Sequence, residues 1–445
     1  VGSWLIHLTL GTFYCWGNIT PYVTSYLRWQ GHDVNYEASS RVVALAAVFF
    51  GGSIYFGGRL HCHMGLKGAA LLGGWMLSLG TAASSATLRQ GLPLFITTYS
   101  VLFGLGSGLA YTAPIVCLMR WLPQRRGLAT GLVVLGYGAG AFLFDPVQAA
   151  LVNPNNLVPM RTENDGQYFD WEDPLIVKQV LERVPRMFLV LALVYGAMQA
   201  LGAWMLLEPL PAGAPQPELE EALLATPEDG ESKQEPDEGR QYSVREMLRT
   251  RQYWLLAANF ACTTTGVFLA TSFSKTLGTV FISEGLSDAK LTTITAVSSL
   301  FNGLGRLLWG SACDRCSFRE AMAGMCCLQA ALLASLPLCS TCEAYSAWIC
   351  LIFLCVGGNY SMFPAATAAY FGRRNVGANY GLVILGMSFT MLWAPELAKA
   401  MMACCSGAAL CRATALFVLV GSLLAFLNQP PGSSQGPLGA LQGQA

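Results

Sequence analysis

Twelve apolar stretches, each about 20 residues long, follow one another along the chain and limit the folds open to it. An α-helix of about 20 apolar residues crosses the hydrocarbon core of a bilayer and satisfies its backbone polar groups internally. The sequence therefore predicts an all-α membrane protein with twelve transmembrane helices. The predicted spans are Trp4–Tyr26, Val42–Arg59, Gly68–Thr87, Pro93–Met119, Leu128–Leu151, Arg186–Leu207, Tyr253–Lys275, Leu291–Ala312, Ala321–Cys339, Tyr345–Phe371, Tyr380–Met402 and Ala413–Leu427.

The amino-acid composition agrees with lipid surroundings. Hydrophobic residues make up 53% of the 445 residues and charged residues 12%, whereas soluble domains carry roughly 25% charged residues. So few charges cannot cover a soluble protein of this length, but a lipid-facing surface does not need them. Because the formal net charge is zero, nothing in the electrostatics favours a nucleic-acid partner. We expect the lipid bilayer around the protein and no nucleic acid bound to it.

A charged, proline-rich stretch separates the first six predicted spans from the last six. Residues Glu208–Arg251 are rich in Pro, Glu and Asp and poor in aromatic residues, a composition typical of disordered segments. Residues 242–248, at the end of this stretch, are expected to form a short interfacial helix. The predicted organisation is an N-terminal six-helix half (1–207), a cytosolic linker (208–252), a C-terminal six-helix half (253–428) and a cytosolic tail (429–445).

The basic residues predict the orientation in the membrane. Cytosolic loops carry an excess of Lys and Arg, and tight basic clusters lie in the short loops on the same side as the linker. We therefore expect both termini in the cytosol and the loop Asn153–Pro185 on the opposite side. The basic residues on the side of the linker are Arg59, Lys67, Arg120, Arg125, Arg126, Arg315, Arg319, Arg373 and Arg374.

An internal repeat relates the two halves. The string Arg125–Gly136 (RRGLATGLVVLG) recurs as Arg373–Gly386 (RRNVGANYGLVILG). Each copy precedes a proline near the far end of the next span, Pro146 in the first half and Pro395 in the second. The copies occupy the fourth-to-fifth and tenth-to-eleventh span regions, so the halves repeat in parallel. Carriers with this layout hold their substrate near the midplane, between the halves.

Several motifs resemble those of a known transporter family. The string Asn302–Gly310 (NGLGRLLWG), followed by Asp314 and Arg315, is similar to the eighth-span signature of the major facilitator superfamily. The strings Gly104–Pro114 (GLGSGLAYTAP) and Tyr14–Gly17 (YCWG) resemble the oxalate/formate antiporters within the monocarboxylate-carrier-like group. The resemblance covers nearly the whole chain outside the linker and the loop after the fifth span. It implies two six-helix bundles that work by alternating access.

The sequence departs from this family at the loop between the second and third spans. The family pattern has an Asp and a basic residue where this chain has Cys62 and His63, and that loop helps to lock and release the inward gate. The equivalent loop of the second half keeps Asp314 and Arg315. We therefore expect an unequal pair of gates. The candidate gating residues are Asp314, Arg315, Arg125, Arg126, Arg373 and Arg374.

A second departure concerns the charge of the substrate. The oxalate-type members carry a Lys where this chain has Met387, so their dianion meets two fixed cations. Here Arg306 is the one arginine well inside a predicted span, and a deep charge in a membrane usually faces a cavity and has a function. Its planar fork suits a carboxylate, which predicts a singly charged substrate. The alternative is that Arg306 pairs permanently with an internal acid or with helix carbonyls.

Further candidates are aromatic and polar residues of the spans. In the resembling family, aromatic residues at the places corresponding to Tyr14, Trp16, Tyr111, Tyr137 and Tyr360 box in the substrate, although single aromatic residues usually serve packing. Asn302 lies one helical turn before Arg306 and joins the predicted binding set, as does Met387. Asp145 is a candidate for ion coupling or for capping the outer vestibule. His7 is expected to be a packed core histidine.

The leading hypothesis is a carrier of small organic anions, monocarboxylate-like, that is either proton-coupled or anion-exchanging. A carrier of a larger carboxylated nutrient, such as a vitamin or an amino acid, stays open, and so does a non-transporting receptor with the same fold. An enzyme is not expected, because the chain has no nucleophile–base set, phosphate loop or metal-ligand cluster above chance. We expect no cofactor and no metal, a monomer, and a location in the plasma membrane or an organelle membrane.

Overall fold

The chain folds into two bundles of long α-helices, described by a computed structural model that covers residues 1–157, 159–163, 166–208, 240–282 and 288–430. The helices of the first half are α1 Gly2–Leu10, α2 Trp16–Trp29, α3 Tyr36–Thr87, α4 Leu92–Phe95, α5 Gly104–Trp121, α6 Arg126–Val152, α7 Pro174–Gln179 and α8 Val184–Trp204. The helices that follow the linker are α9 Val244–Leu248, α10 Arg251–Phe281, α11 Asp288–Arg315, α12 Phe318–Ser335, α13 Cys342–Phe371, α14 Val376–Val383, α15 Leu385–Cys404 and α16 Gly407–Leu427.

The predicted spans fall on helical segments. Within the described residues, 9 helical stretches are long and apolar enough to cross a membrane, and one of them, Arg41–Gln90, holds two predicted spans. The remaining two predicted spans are helical but less plainly apolar. In the first span, α1 and α2 are joined by the 3₁₀ turn Gly11–Cys15, and the eighth span, α11, carries several charges. The prediction of a helical, multi-pass membrane protein is confirmed.

Gly65 divides α3 into the second and third spans. Its backbone has φ 71° and ψ 171°, which interrupts the helix. Glycine adopts a positive φ without a Cβ clash, and nothing lies within 4 Å of where a Cβ would stand. The backbone conformation, rather than tight packing, is therefore what requires glycine at this turn.

One end of the bundle, here named the cap side, carries the segment between α6 and α8. This segment holds α7 and a small antiparallel hairpin of β1 Arg161–Glu163 and β2 Gly166–Tyr168, which the all-α prediction did not include. The buried Phe169 stacks on Tyr22 of α2 with ring centroids 5.0 Å apart, and its backbone N–H donates to Ser25 Oγ at 2.9 Å. The segment is thereby held against the first span.

The opposite end is here named the linker side. It holds the loops that connect α5 to α6, α11 to α12 and α13 to α14. Linker residues 209–239 and tail residues 431–445 lie outside the described part of the chain. The Tyr242 N–H donates to the Phe371 carbonyl at 3.0 Å, so the end of the linker is anchored on the second half. The short helix predicted at residues 242–248 is present as α9, and its interfacial position stays a prediction. Hydrogen bonds from Ser243 in its capping box hold the pKa of Glu246 below its usual value.

Glycines let helices of the two halves approach closely on the linker side. A Cβ at Gly127 of α6 would lie 2.8 Å from the carbonyl carbon of Gly310 in α11. A Cβ at Gly377 of α14 would likewise lie 2.9 Å from the Gly58 Cα in α3. The internal repeat relates these two helix pairs, since the fifth and eleventh spans correspond, and so do the second and eighth. Both pairs are packed in this structure, which closes the linker side.

Candidate functional site

Arg306 is a fully buried cation at the interface between the halves. It belongs to α11 and has an exposed fraction of 0%. Its Nε donates to Asn302 Oδ1 at 3.3 Å, one turn earlier on the same helix, and its Nη1 donates to the Val134 carbonyl of α6 at 2.6 Å. The second contact crosses from one half to the other. Nη2 is buried without a hydrogen-bond partner in the described part of the chain, so donor capacity remains for an anion.

Two tyrosines lie against the Arg306 guanidinium, one from each half. The guanidinium carbon lies 4.9 Å from the Tyr360 ring centroid of α13 and 5.5 Å from that of Tyr137 in α6. Aromatic faces attract cations at such distances, and they leave the edge of the guanidinium free to donate hydrogen bonds. Both tyrosines were predicted as binding residues, and the structure brings them together with Arg306 and Asn302.

Further aromatic rings extend the cluster into the first half. The Tyr137 ring lies 5.5 Å from Tyr14 and 5.8 Å from Tyr111, both in edge-on arrangements. Phe50 of α3 packs edge-on against Tyr111 at 5.3 Å, and Tyr380 of α14 stacks on Tyr111 at 6.3 Å. We name this set the tyrosine cluster. Its members are Tyr14, Phe50, Tyr111, Tyr137, Tyr360 and Tyr380.

Two cluster members were missed by the sequence analysis. Tyr380 lies within the repeated string, directly before the glycine of its Gly-Leu-Val core, and its hydroxyl is buried without a hydrogen-bond partner. Its position in the repeat could have identified it, because the corresponding part of the first copy leads into the fifth span, which carries the predicted binding residue Tyr137. Phe50 lies in an apolar run of α3 with no such signal, and only the packing of the helices identifies it.

His7 also lies beside the tyrosine cluster. Its ring centroid is 5.2 Å from that of Tyr111 and 6.3 Å from that of Tyr137. The residue is fully buried, as expected for a core histidine, but neither ring nitrogen has a hydrogen-bond partner in the described part of the chain.

Three predicted residues contact other parts of the protein. Trp16 packs against Phe95 and Tyr99, within the first half. Met387 is buried in the apolar core, with an exposed fraction of 5%. Asp145 lies farther toward the cap side on α6, where its backbone carbonyl accepts a hydrogen bond from Asn18 Nδ2 at 3.2 Å. Their roles in binding or coupling stay predictions, because no contact joins them to Arg306.

Among the predicted gating residues, Asp314 makes the most direct contact between the halves. Its two carboxylate oxygens accept hydrogen bonds from the backbone N–H groups of Gly127 and Leu128, each at 2.7 Å. These groups belong to the first turn of α6, whose own N-cap residue, Arg125, provides no side-chain capping bond to the described helix. A carboxylate at a helix N-terminus satisfies free N–H groups and interacts favourably with the helix dipole. The second half therefore caps a helix of the first.

The pseudo-equivalent position in the first half lacks this cap. Cys62 follows Gly58 by four residues, as Asp314 follows Gly310, but its thiol points back to the Gly58 carbonyl at 3.6 Å. The helix that would receive the cap, α14, starts without a side-chain capping bond, and the Nδ2 of its N-cap residue, Asn375, donates instead to the Tyr242 carbonyl at 3.1 Å. The two pseudo-equivalent contacts therefore differ, and unequal gating stays a prediction.

The predicted gating arginines occupy the same surface. Arg126 Nη1 donates to the Ala368 carbonyl of α13 at 2.9 Å, a second contact between the halves. The backbone N–H of Arg374 donates to Gln241 Oε1 of the linker at 3.1 Å. Arg125 and Arg315 are exposed and Arg373 is half-buried. Of the predicted gating residues, Asp314 and Arg126 therefore contact the opposite half directly.

The chain is similar to several curated carriers. It is 30% identical to Apicoplast pyruvate carrier 1 of Toxoplasma gondii over 439 residues, which covers 86% of this chain and 79% of the relative. It is 27% identical to the oxalate:formate antiporter of Oxalobacter formigenes over 328 residues, which covers 73% of this chain and 65% of the relative. Monocarboxylate transporter 13 of Rattus norvegicus is 36% identical over 112 residues, 25% of each chain.

The same fold occurs in solved structures of low sequence identity. The fucose:proton symporter FucP of E. coli superposes with a TM-score of 0.60 at 15% identity, covering 95% of this chain and 98% of that chain. The proton:xylose symporter XylE gives a TM-score of 0.61 at 12% identity, covering 96% and 94%. The family model of the Major Facilitator Superfamily matches residues 5–395. This match spans most of the chain, and the chain therefore belongs to the Major Facilitator Superfamily.

Proposed function

We propose that this protein is a secondary transporter of small organic monocarboxylates. The observation that carries the proposal is the free Nη2 of Arg306, a buried cation between the halves. Arg306 is the one Arg, Lys, Asp or Glu among the fully buried residues of the described part of the chain. A single fixed positive charge matches a single carboxylate, because a second carboxylate would be left buried without a partner.

The surroundings of Arg306 support a small substrate. Tyrosine rings from both halves pack against the guanidinium, and they provide apolar faces together with a few polar hydroxyls, as the walls of small-molecule sites do. Gly138 of α6 faces the guanidinium, and a Cβ at this position would lie 3.4 Å from Arg306 Nε. The glycine therefore leaves space for about one methyl group beside the cation. The names of the similar proteins, a pyruvate carrier and an oxalate:formate antiporter, also favour small carboxylates.

The contact between Arg306 and Val134 links binding to movement of the halves. Because this hydrogen bond joins α11 to α6, separation of the halves at this level breaks it and frees Nη1 as well as Nη2. A bidentate contact with a carboxylate then replaces it. Alternating access follows if the substrate site opens on one side while the contacts of Asp314 and Arg126 close the other.

We further propose that the linker side faces the cytosol and that the protein works in the plasma membrane. The basic clusters near Arg125, Arg315 and Arg373 support the orientation.

Uptake into reconstituted vesicles tests the proposal. The purified native chain is incorporated into liposomes, and labelled formate, lactate, pyruvate and oxalate are compared with a vitamin and an amino acid that carry carboxylates. We expect saturable uptake of the monocarboxylates that unlabelled monocarboxylates inhibit and oxalate inhibits weakly. Preference for a larger carboxylated compound would replace the proposed substrate class. A folded protein that binds and transports none of these compounds would contradict a transport function for them.

A further inference from the structure

His61 is a buried histidine in the contact between the halves on the linker side. It lies on α3, between the second and third predicted spans, and its exposed fraction is 6%. Its Nε2 faces α14 of the second half, because a Cβ at Gly377 would lie 2.5 Å from this nitrogen and 2.9 Å from the Gly58 Cα. The ring is therefore enclosed where the backbones of α3 and α14 meet.

The His61 ring has little hydrogen-bonding support in this position. Nε2 has no hydrogen-bond partner among the described residues, and Nδ1 lies 3.9 Å from the sulfur of Cys62, which is a weak contact. The pseudo-equivalent position of the second half, three residues after Gly310, holds Cys313. A small uncharged side chain therefore fits this place in the fold, and packing alone does not require a histidine.

The charged groups around His61 are mainly positive. Arg120 of α5 acts on the ring electrostatically, and Glu208 pairs with this arginine. The helix α14 contains no Asp, Glu, Lys or Arg, and its one titratable side chain, Tyr380, stacks on Tyr111 in the tyrosine cluster. On α3 and in the turn before α14, the charged and titratable side chains closest in the chain are Arg59, Cys62, His63, Lys67, Arg373 and Arg374.

A proton on His61 is unfavourable while the linker side is closed. It would place a positive charge in an enclosed space, without an acceptor for the Nε2–H among the described residues. The charge would also lie at the first turn of α14, which has no side-chain capping bond and whose dipole repels a cation. Burial and the Arg120 charge accordingly lower the pKa of His61 to about 4, although a hydrogen bond of the ring with its own backbone raises it in part.

We propose that His61 is a pH-sensitive switch that favours opening of the linker side when the solution on that side becomes acidic. Separation of α3 from α14 exposes the ring to water, where histidine has its ordinary pKa of about 6.5. The open conformation therefore binds a proton that the closed conformation excludes. By linkage, a fall in pH below about 6.5 shifts the balance toward the open conformation by about tenfold per pH unit. The inference concerns the gate and holds for any substrate.

Distances between labels on the linker side test the switch without substrate. Spectroscopic labels are placed at Gln124 of the first half and Cys316 of the second, both exposed, in the native chain in detergent. Between about pH 7.5 and about pH 5.5, we expect the ratio of open to closed populations to rise about tenfold. His61→Gln cannot take up a proton and should lose this rise. His63→Gln is the matched control, because His63 is exposed on the same helix and its loss should leave the native response.

A second pair of variants separates the charge of the side chain from its size. His61→Lys carries a positive charge in the open conformation at both pH values, so its linker side should be mostly open at both. His61→Met has a similar length without the charge, so its linker side should stay closed at both. A purely steric role of His61 would instead shift both variants in the same direction, which would contradict the proposal.

The native chain gives the decisive result. An open-to-closed ratio that is independent of pH in the native chain would overturn the proposal, and so would a pH response that persists in both His61→Gln and His61→Met. Size-exclusion chromatography verifies the folding of each variant, and the native measurement decides even if a variant misfolds. Because no substrate is present, failure of this proposal leaves the proposed function in place.

Discussion

Asp314 Oδ1 of the second half accepts a hydrogen bond from the Gly127 backbone N–H of the first half at 2.7 Å. The adjacent N–H of Leu128 donates to the other carboxylate oxygen at the same distance. This carboxylate therefore stabilises both the start of α6 and the contact between the halves. Because the bond joins the two halves, opening of the linker side must break it, so its energy contributes to the balance between the open and closed conformations.

Asp314→Ala is expected to favour opening of the linker side. Removal of a helix N-cap costs about 0.5–2 kcal/mol, and 1–2 kcal/mol changes a two-state ratio by about 5- to 30-fold. Gln124 and Cys316 are both exposed on the linker side and belong to different halves. The distance between spectroscopic labels at these two positions should be long in a larger fraction of the molecules. Asp173→Ala is the matched control, since Asp173 caps α7 on the cap side through the Leu175 N–H at 2.8 Å. An unchanged distance distribution in Asp314→Ala would show that this cap does not hold the gate.

Cys62→Asp is expected to have the opposite effect. The carboxylate would stand at the position equivalent to Asp314 and reach the uncapped N-terminus of α14, which begins at Val376. The same label pair should then report a larger ratio of closed to open populations, by about fivefold if the new cap contributes about 1 kcal/mol. Transport should slow, because opening of the linker side must break the new contact. Cys62→Ser keeps the size of the side chain without the charge and serves as the control. Equal behaviour of the Asp and Ser variants would contradict this account of the unequal gates.

The sequence predicted the helices and the central cation for clear physical reasons. Apolar runs of bilayer length identify spans directly, and the cost of burying Arg306 in a membrane marks it as functional. Tyr137 and Tyr360 could be placed near it because aromatic residues at the corresponding places of the resembling family surround the substrate. Phe50, by contrast, joins the cluster because α3 packs against the neighbouring helices. The hydrophobic periodicity of a sequence does not show which helices pack against each other.

The surroundings of His7 could not be predicted from the sequence. A lone histidine in an apolar span is usually packed, and that expectation was correct about its burial. Whether its nitrogens find partners depends on which carbonyls and hydroxyls face it from α5, α6 and α11. Likewise, the Asp314 signature indicated a gate, but only the three-dimensional arrangement shows that its partner is the first turn of α6.

Gly138→Ala tests whether the substrate occupies the space beside Arg306. The added Cβ would lie 3.4 Å from Arg306 Nε, 3.6 Å from its Cζ and 3.5 Å from the Gly303 Cα, all ordinary contact distances. The fold should therefore tolerate it, while the affinity for pyruvate should fall about tenfold, or about 1.4 kcal/mol. Gly324→Ala in α12, where nothing lies within 4 Å of the new Cβ, is the control. Unchanged affinity in Gly138→Ala would move the substrate away from this face of the guanidinium.

Met387→Lys tests the argument that one cation selects a monocarboxylate. The substitution restores the second cation that the resembling oxalate carriers have, so inhibition of pyruvate uptake by oxalate should become at least about tenfold stronger. Met387→Gln, which is polar and uncharged, controls for the loss of the buried apolar side chain. If the Lys and Gln variants respond equally to oxalate, charge at this position does not set the preference.

Equilibrium binding of pyruvate to Arg306 variants tests whether the buried guanidinium holds the substrate carboxylate. Arg306→Lys keeps the charge but loses the planar fork, and Arg306→Gln loses both, so the affinity should fall about tenfold in the first and at least about 100-fold in the second. Thermal unfolding of each variant separates lost binding from lost folding. A graded loss in this order, in proteins that remain folded, is the predicted result. Native affinity in folded Arg306→Gln would show that the buried cation does not bind the substrate.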